Sequence, residues 1–123
     1  MPLTIRRESL RGFTVITVIG EVDRNETSRL GADIDEALRE FRPRLLFDLS
    51  DMSFIDSSGL RLLVTASAKA RRCGGTCALC SLCPTPKKIM NLTGLAAAFD
   101  IYPTMAAALE GGPLESAASR ALP

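Results

Sequence analysis

The stretch Asp56-Ser57-Ser58-Gly59 places a carboxylate and two hydroxyls on consecutive residues, just ahead of the apolar pattern that starts at Leu60. Asp and Ser are favoured where a helix begins, because their oxygens accept the N–H groups that the first turn leaves unpaired. A cap needs one such oxygen, and three side chains here offer one. Asp56 or Ser57 can satisfy the first N–H groups, which leaves a hydroxyl to solvent beside a helix end that favours anions. Two readings follow from the spacing: capping alone, or capping together with a serine that accepts a phosphoryl group. A phosphoserine brings roughly −1.5 to −2 charge and three acceptor oxygens. The end of a helix tolerates that charge, whereas a surface that docks a partner does not.

The other residues with chemical potential are Cys73, Cys77, Cys80 and Cys83, spaced C-x3-C-x2-C-x2-C. Such spacing occurs in metal and iron–sulfur sites. The segment that carries them reads as a strand, however, and on a strand Cys77 and Cys80 face opposite sides. Four ligands must converge on one ion, so thiols of the core are expected, with no metal and no cofactor. A redox- or metal-sensing protein acting through Cys73, Cys77, Cys80 and Cys83 is the alternative function. Histidine is absent. That removes Ser-His and Cys-His activation of a nucleophile and imidazole ligation, and a binding protein is expected in place of an enzyme.

The elements that must position these groups are legible from periodicity. Phe13 to Ile19 is β-branched and ends at Gly20, and Leu3 to Arg7 is a shorter partner across the turn at Arg11-Gly12, an edge hairpin. Leu30, Ile34, Ala37, Leu38 and Phe41 lie on one helical face, which predicts a helix over 27–41, capped by Asn25 or Thr27 and stopped by Pro43. Leu45 to Leu49 suits an inner strand covered on both faces. A tight loop and a helix from Ser57 to Arg72 follow, with Leu60, Leu63, Val64 and Ser67 inward and Lys69, Arg71 and Arg72 in the last turn, where cations complement the helix dipole. Thr76 to Leu82 reads as a strand, 87–92 as a helix entered through Pro86, Phe99 to Tyr102 as a strand, and 105–110 as a helix capped by Thr104. Alternation of this kind means an α/β domain with a mixed, mainly parallel sheet of four to five strands and four helices. The expected core includes Val15, Leu30, Ile34, Leu38, Leu46, Leu63, Val64 and Phe99. The domain spans 1–110, and 111–123 reads as a flexible C-terminal tail.

Composition limits the partners. The 123 residues carry 15 Lys+Arg against 14 Asp+Glu, a net charge of +1. That balance gives no drive toward nucleic acid or an anionic membrane, and five Phe with one Tyr and no Trp make a poor base-stacking platform. Lys87 and Lys88 read as solvated. The start of the chain lacks the apolar core of a signal peptide and no run approaches the ~20 residues of a membrane span. A cytoplasmic protein with reduced thiols is expected.

Three segments carry a resemblance. Gly20-Glu21-Val22-Asp23 is similar to the Gly-Glu-Leu-Asp turn of the STAS family. Asp48-Leu49-Ser50 through Asp56-Ser57-Ser58-Gly59-Leu60 resembles its strand, loop and phosphorylation motif. Leu92-Thr93-Gly94-Leu95 with Phe99-Asp100-Ile101-Tyr102-Pro103-Thr104 resembles its C-terminal helix, strand and cap. The likeness runs from about residue 3 to 110, and it is greatest to the bacterial anti-sigma factor antagonists. It implies a single STAS-like domain in which Ser57, the serine directly after the Asp, is phosphorylated by a partner that is both anti-sigma factor and serine kinase. The unmodified protein would bind that partner and free a sigma factor. Phosphorylation would end the binding, and a phosphatase would restore it. The same resemblance assigns Glu21 and Asp23 to a second loop of the docking surface formed with Asp56, Ser57, Ser58 and Gly59. Read from the residues alone, Glu21 and Asp23 serve turn geometry and helix entry equally well.

Overall fold

The computed structural model describes residues 3–111. Thr4–Leu10 (β1) and Phe13–Val22 (β2) form an antiparallel hairpin in register from Thr4 opposite Ile19 to Leu10 opposite Phe13. Its two-residue turn has φ +50° at Arg11 and +83° at Gly12. Positive φ at both positions is the turn whose twist matches that of the flanking strands. Thr27–Ala37 (α1) leads to Arg44–Asp48 (β3), then Met52–Ile55 (β4) and Ser57–Arg72 (α2). Thr76–Cys80 (β5), Pro84–Thr93 (α3), a short 3₁₀ turn at Leu95–Ala98, Asp100–Tyr102 (β6) and Met105–Gly111 (α4) complete the chain.

The sheet runs β1-β2-β3-β5-β6, and every pairing after the hairpin is parallel. Five strands on this path agree with the expected mixed, mainly parallel sheet. The sixth, β4, pairs with the far end of β2 and lies off the path.

Strand parity sorts the core into two layers. Ile16, Val18, Leu45, Phe47, Cys77 and Leu79 face one side and pack with Leu30 and Ile34 of α1, Leu63 and Ala66 of α2, and Met90 of α3. Phe13, Val15, Leu46, Ala78 and Cys80 face the other side, under Ala108, Met105 and Leu109 of α4. Three helices therefore share one face and α4 covers the other, a division that the sequence left open. Val15, Leu30, Ile34, Leu46, Leu63 and Phe99 are buried as expected, while Leu38 and Val64 pack at the margin, partly exposed.

Several boundaries differ from the sequence reading. The helix expected to reach Phe41 ends at Ala37, and Phe41 is 88% exposed. Buried Pro43, whose carbonyl accepts the Thr76 N–H at 3.0 Å, fixes where the chain must enter β3. Residues 38–42 are used in reaching that point, with Arg42 at φ +50°. The N-cap of α1 is Glu26, with no side-chain cap; Thr27 is already helical, and its hydroxyl donates to the Arg24 carbonyl at 3.0 Å. The segment read as a tight loop before α2 contains β4. β5 stops at Cys80 because Ser81 turns at φ +58°, and α3 begins three residues early, at Pro84, a residue that needs no partner for its missing N–H. The expectation for a flexible tail falls, beyond Gly111, outside the described residues.

Candidate functional site

The site is assembled where β2 and β4 end. Parallel pairing sets Val22 beside Ile55, so the next residues, Asp23 and Asp56, start neighbouring loops. The Asp56 N–H donates to the Val22 carbonyl at 3.1 Å, continuing the ladder by one residue. In return the Arg24 N–H donates to Asp56 Oδ2 at 3.0 Å. One carboxylate thereby ties the loop after β2 to the loop after β4. Glu21 is opposite Phe54 in the same ladder. Asp23 Oδ1 accepts the Asn25 N–H at 3.0 Å, a turn closed by a side chain at the entry to α1.

The other oxygen of Asp56 caps α2. Oδ1 accepts the Gly59 N–H at 3.0 Å and the Ser58 hydroxyl at 2.6 Å. These bonds hold the carboxyl below the usual carboxylate range. The Ser58 hydroxyl contributes most and the Gly59 N–H next; desolvation opposes them, and the N–H groups of Arg24 and Ser58 add to the lowering. Gly59 is buried, and a Cβ there would stand 2.6 Å from Ile55 Cγ1 and 2.8 Å from Val22 Cγ1. The first turn of α2 thus rests on the ends of β2 and β4, at a separation that only glycine permits.

Asp56 and Ser58 build the cap, and Ser57 takes no part in it. Its side chain is exposed, and among the described residues its hydroxyl makes no hydrogen bond. A free hydroxyl therefore stands on the first residue of a 16-residue helix, at the end whose N–H groups attract anions.

Beside it runs a mainly apolar cleft of about 620 Å³, lined by Phe54, Leu60, Val64, Ile89 and Leu95 together with Asp56, Ser57 and Arg61. Phe54 is 48% exposed and Ile89 is 37% exposed. The sequence reading missed this cleft. One signal was available: Phe54 and Ile55 are adjacent, and on a strand adjacent residues cannot share a face. Ile55 is buried, and Phe54 points out.

A model of the STAS domain matches residues 4–108. The chain belongs to the STAS domain family. It is 27% identical over 103 residues to the anti-sigma F factor antagonist of Paenibacillus polymyxa, a match that covers 83% of this chain and 88% of the relative. Among solved structures, an anti-sigma factor antagonist from Mycobacterium paratuberculosis superposes with a TM-score of 0.81 at 30% identity, over 89% of this chain and 93% of that one. The fold is also that of the Bacillus cell fate determinant SpoIIAA in its phosphorylated form, with a TM-score of 0.65 at 24% identity over 81% and 92% of the two chains.

The cysteines of this STAS domain do not converge. Cys77 faces the α1–α2 layer and Cys80 faces α4, both fully buried. Burial pushes the Cys77 thiol up to about 12 and, with the nearby Asp48 adding to it, the Cys80 thiol up to about 11. Cys73 is exposed past the end of α2. Cys83 stands at the N-cap position of α3 without a side-chain cap, its Sγ 3.6 Å from the Ser50 carbonyl oxygen. One ion could take both Cys77 and Cys80 only if β5 were dismantled. Among the described residues no helix is long and apolar enough to cross a membrane.

Proposed function

We propose that this STAS domain is a phosphorylation-controlled anti-sigma factor antagonist. It binds an anti-sigma factor that is also a serine kinase, and so frees a sigma factor. Phosphorylation of Ser57 ends the binding, and a phosphatase acting on the phosphoserine restores it. Its work is binding and not catalysis, and its compartment is the bacterial cytoplasm. The observation that carries this reading is the free, exposed hydroxyl of Ser57 next to a cap that Asp56 and Ser58 complete without it. The names of the relatives support the partner class.

The physics of the switch follows from position. A phosphate on Ser57 meets helix N–H groups and the positive end of the α2 dipole, so the fold survives modification. The docking surface does not tolerate it. That surface consists of the Glu21 and Asp23 loop, the Asp56 to Gly59 turn and the apolar cleft. Interfaces of this kind derive most of their affinity from a few well-desolvated apolar contacts. A phosphate at the rim of the cleft must lose its water to be buried, and an unpaired buried charge is costly.

The test is incubation of purified wild type, Ser57→Ala and Ser58→Ala with the cognate kinase and labelled ATP. Label is expected on wild type and on Ser58→Ala, and none on Ser57→Ala. Full labelling of Ser57→Ala, mapped to Ser58 or elsewhere, would remove Ser57 from the mechanism.

A further inference from the structure

The segment that leaves α1 differs most from its sequence pattern, and it forms a second surface. Phe41 projects into solvent at 88% exposure, with the Arg42 guanidinium 5.3 Å from the centre of its ring. Arg39, Lys69, Arg72 and Cys73 line a cleft of about 310 Å³ between the ends of α1 and α2, together with Asp35 and Leu38. Arg42 reaches the same region: a Cβ on Gly74 would stand 3.5 Å from Arg42 Cγ and 3.8 Å from its Nε.

Of the acidic groups of this region, Asp35 pairs within the cleft and the others bond outside it. Asp35 lies 3.9 Å from Lys69, Glu36 pairs with Arg7 at 3.3 Å, and Glu40 accepts the Thr14 hydroxyl at 3.0 Å. Among the described residues Arg39, Arg42 and Arg72 make no ion pair. Two unpaired guanidinium groups, those of Arg39 and Arg72, therefore line the cleft, and a third, that of Arg42, lies over the exposed Phe41 ring beside it, in a chain whose net charge is only +1.

We propose that this cleft docks an acidic peptide segment of another protein, with Arg39, Arg42 and Arg72 pairing with carboxylates and the exposed Phe41 ring, under the Arg42 guanidinium, as an apolar contact beside the cleft. Guanidinium groups present a planar fork that matches a carboxylate through two hydrogen bonds. Aromatic and Arg side chains are also the types that carry most of the energy at protein interfaces. The cleft lies at the C-terminal end of α2 and Ser57 at its N-terminal end, about 20 Å apart along the helix. The occupant binds whether or not Ser57 is modified.

The probe is a short peptide of Glu and Asp with one central Leu, titrated at low salt into the isotope-labelled protein and followed by amide chemical shifts. Shifts are expected within 35–42 and 69–74 and not within 56–60. Arg39→Ala/Arg72→Ala is expected to weaken binding by at least about tenfold, and Phe41→Ser by several-fold. Ser57→Asp is expected to bind as wild type does. These side chains are exposed, and an unchanged thermal midpoint will confirm that the variants fold. Absence of shifts, shifts confined to other residues, or equal binding by the double variant would overturn the proposal. Tighter binding at these residues by a single-stranded oligonucleotide, or by vesicles rich in phosphatidylserine, would overturn it in favour of nucleic acid or membrane.

Discussion

Asp56 combines two tasks because a carboxylate has two oxygens. One accepts the Gly59 N–H and the Ser58 hydroxyl to start α2, and the other accepts the Arg24 N–H to fix the neighbouring loop. An amide in its place offers only one acceptor atom and no charge. The sign of the pH dependence follows from the lowered ionisation of this group. The folded state favours ionised Asp56, so its contribution is complete above the ordinary value of 3.8 and is lost as pH falls through the depressed one. Asp56→Asn is therefore expected to be less stable than wild type at neutral pH, with a deficit that narrows below about pH 4. Urea unfolding across the acid range measures this. Parallel curves for the two proteins would mean that the charge of Asp56 contributes nothing. That an Asp or Ser would cap this helix was legible in the sequence. Which of Asp56 and Ser57 does so was not, because the second bond that orients the Asp56 carboxylate comes from Arg24, which is 32 residues away.

At the scale of elements, β4 is the piece on which the site depends and the one that periodicity missed. Four residues with two of them buried give too short a pattern to distinguish from a loop. Its pairing with β2 nevertheless brings Asp23 and Asp56 side by side, and it sets Gly59 against Val22 and Ile55. Gly59→Ala must push the first turn of α2 off the strand ends. The expected cost is about 1–3 kcal/mol, as for other overpacked positions, read as a drop in urea midpoint without change in slope. A midpoint equal to that of wild type would show that the turn has room. The long helix over 57–72 matched to the residue, because its apolar face, its caps and its basic last turn all agree. The helix over 27–41 was overread, since Phe41 continues the apolar face arithmetically while Pro43 holds the chain elsewhere. Strand parity placed the thiols correctly: Cys77 and Cys80 lie on opposite faces. Native thiol labelling is accordingly expected to modify Cys73 first and to leave Cys77 and Cys80 protected until the protein unfolds. Rapid labelling of either buried thiol would contradict the burial of β5.

For the whole molecule, α2 holds two surfaces apart, one at each of its ends. One end gathers the loops after β2 and β4, the free Ser57 hydroxyl and the apolar cleft, and the other gathers Phe41 and the unpaired arginines. Alternation of elements was enough to read an α/β domain, and the motif around Ser57 was enough to single out the residue to which the proposed function assigns the switch. The groove walls were not legible, because Phe54 comes from β4, Leu60 and Val64 from α2, and Ile89 from α3, and only the packing of those elements brings them together. The proposed function requires that charge at one atom, the Ser57 Oγ, control affinity without altering the fold. The direct measurement is calorimetric titration of the cognate anti-sigma factor with wild type, with Ser57→Ala and with protein phosphorylated at Ser57, each checked for an unchanged circular dichroism spectrum. Wild type and Ser57→Ala are expected to bind alike, and the phosphorylated protein to bind at least about a hundredfold more weakly, the cost of leaving a charge poorly paired in an interface. Equal affinity of the phosphorylated and unmodified proteins would contradict the account.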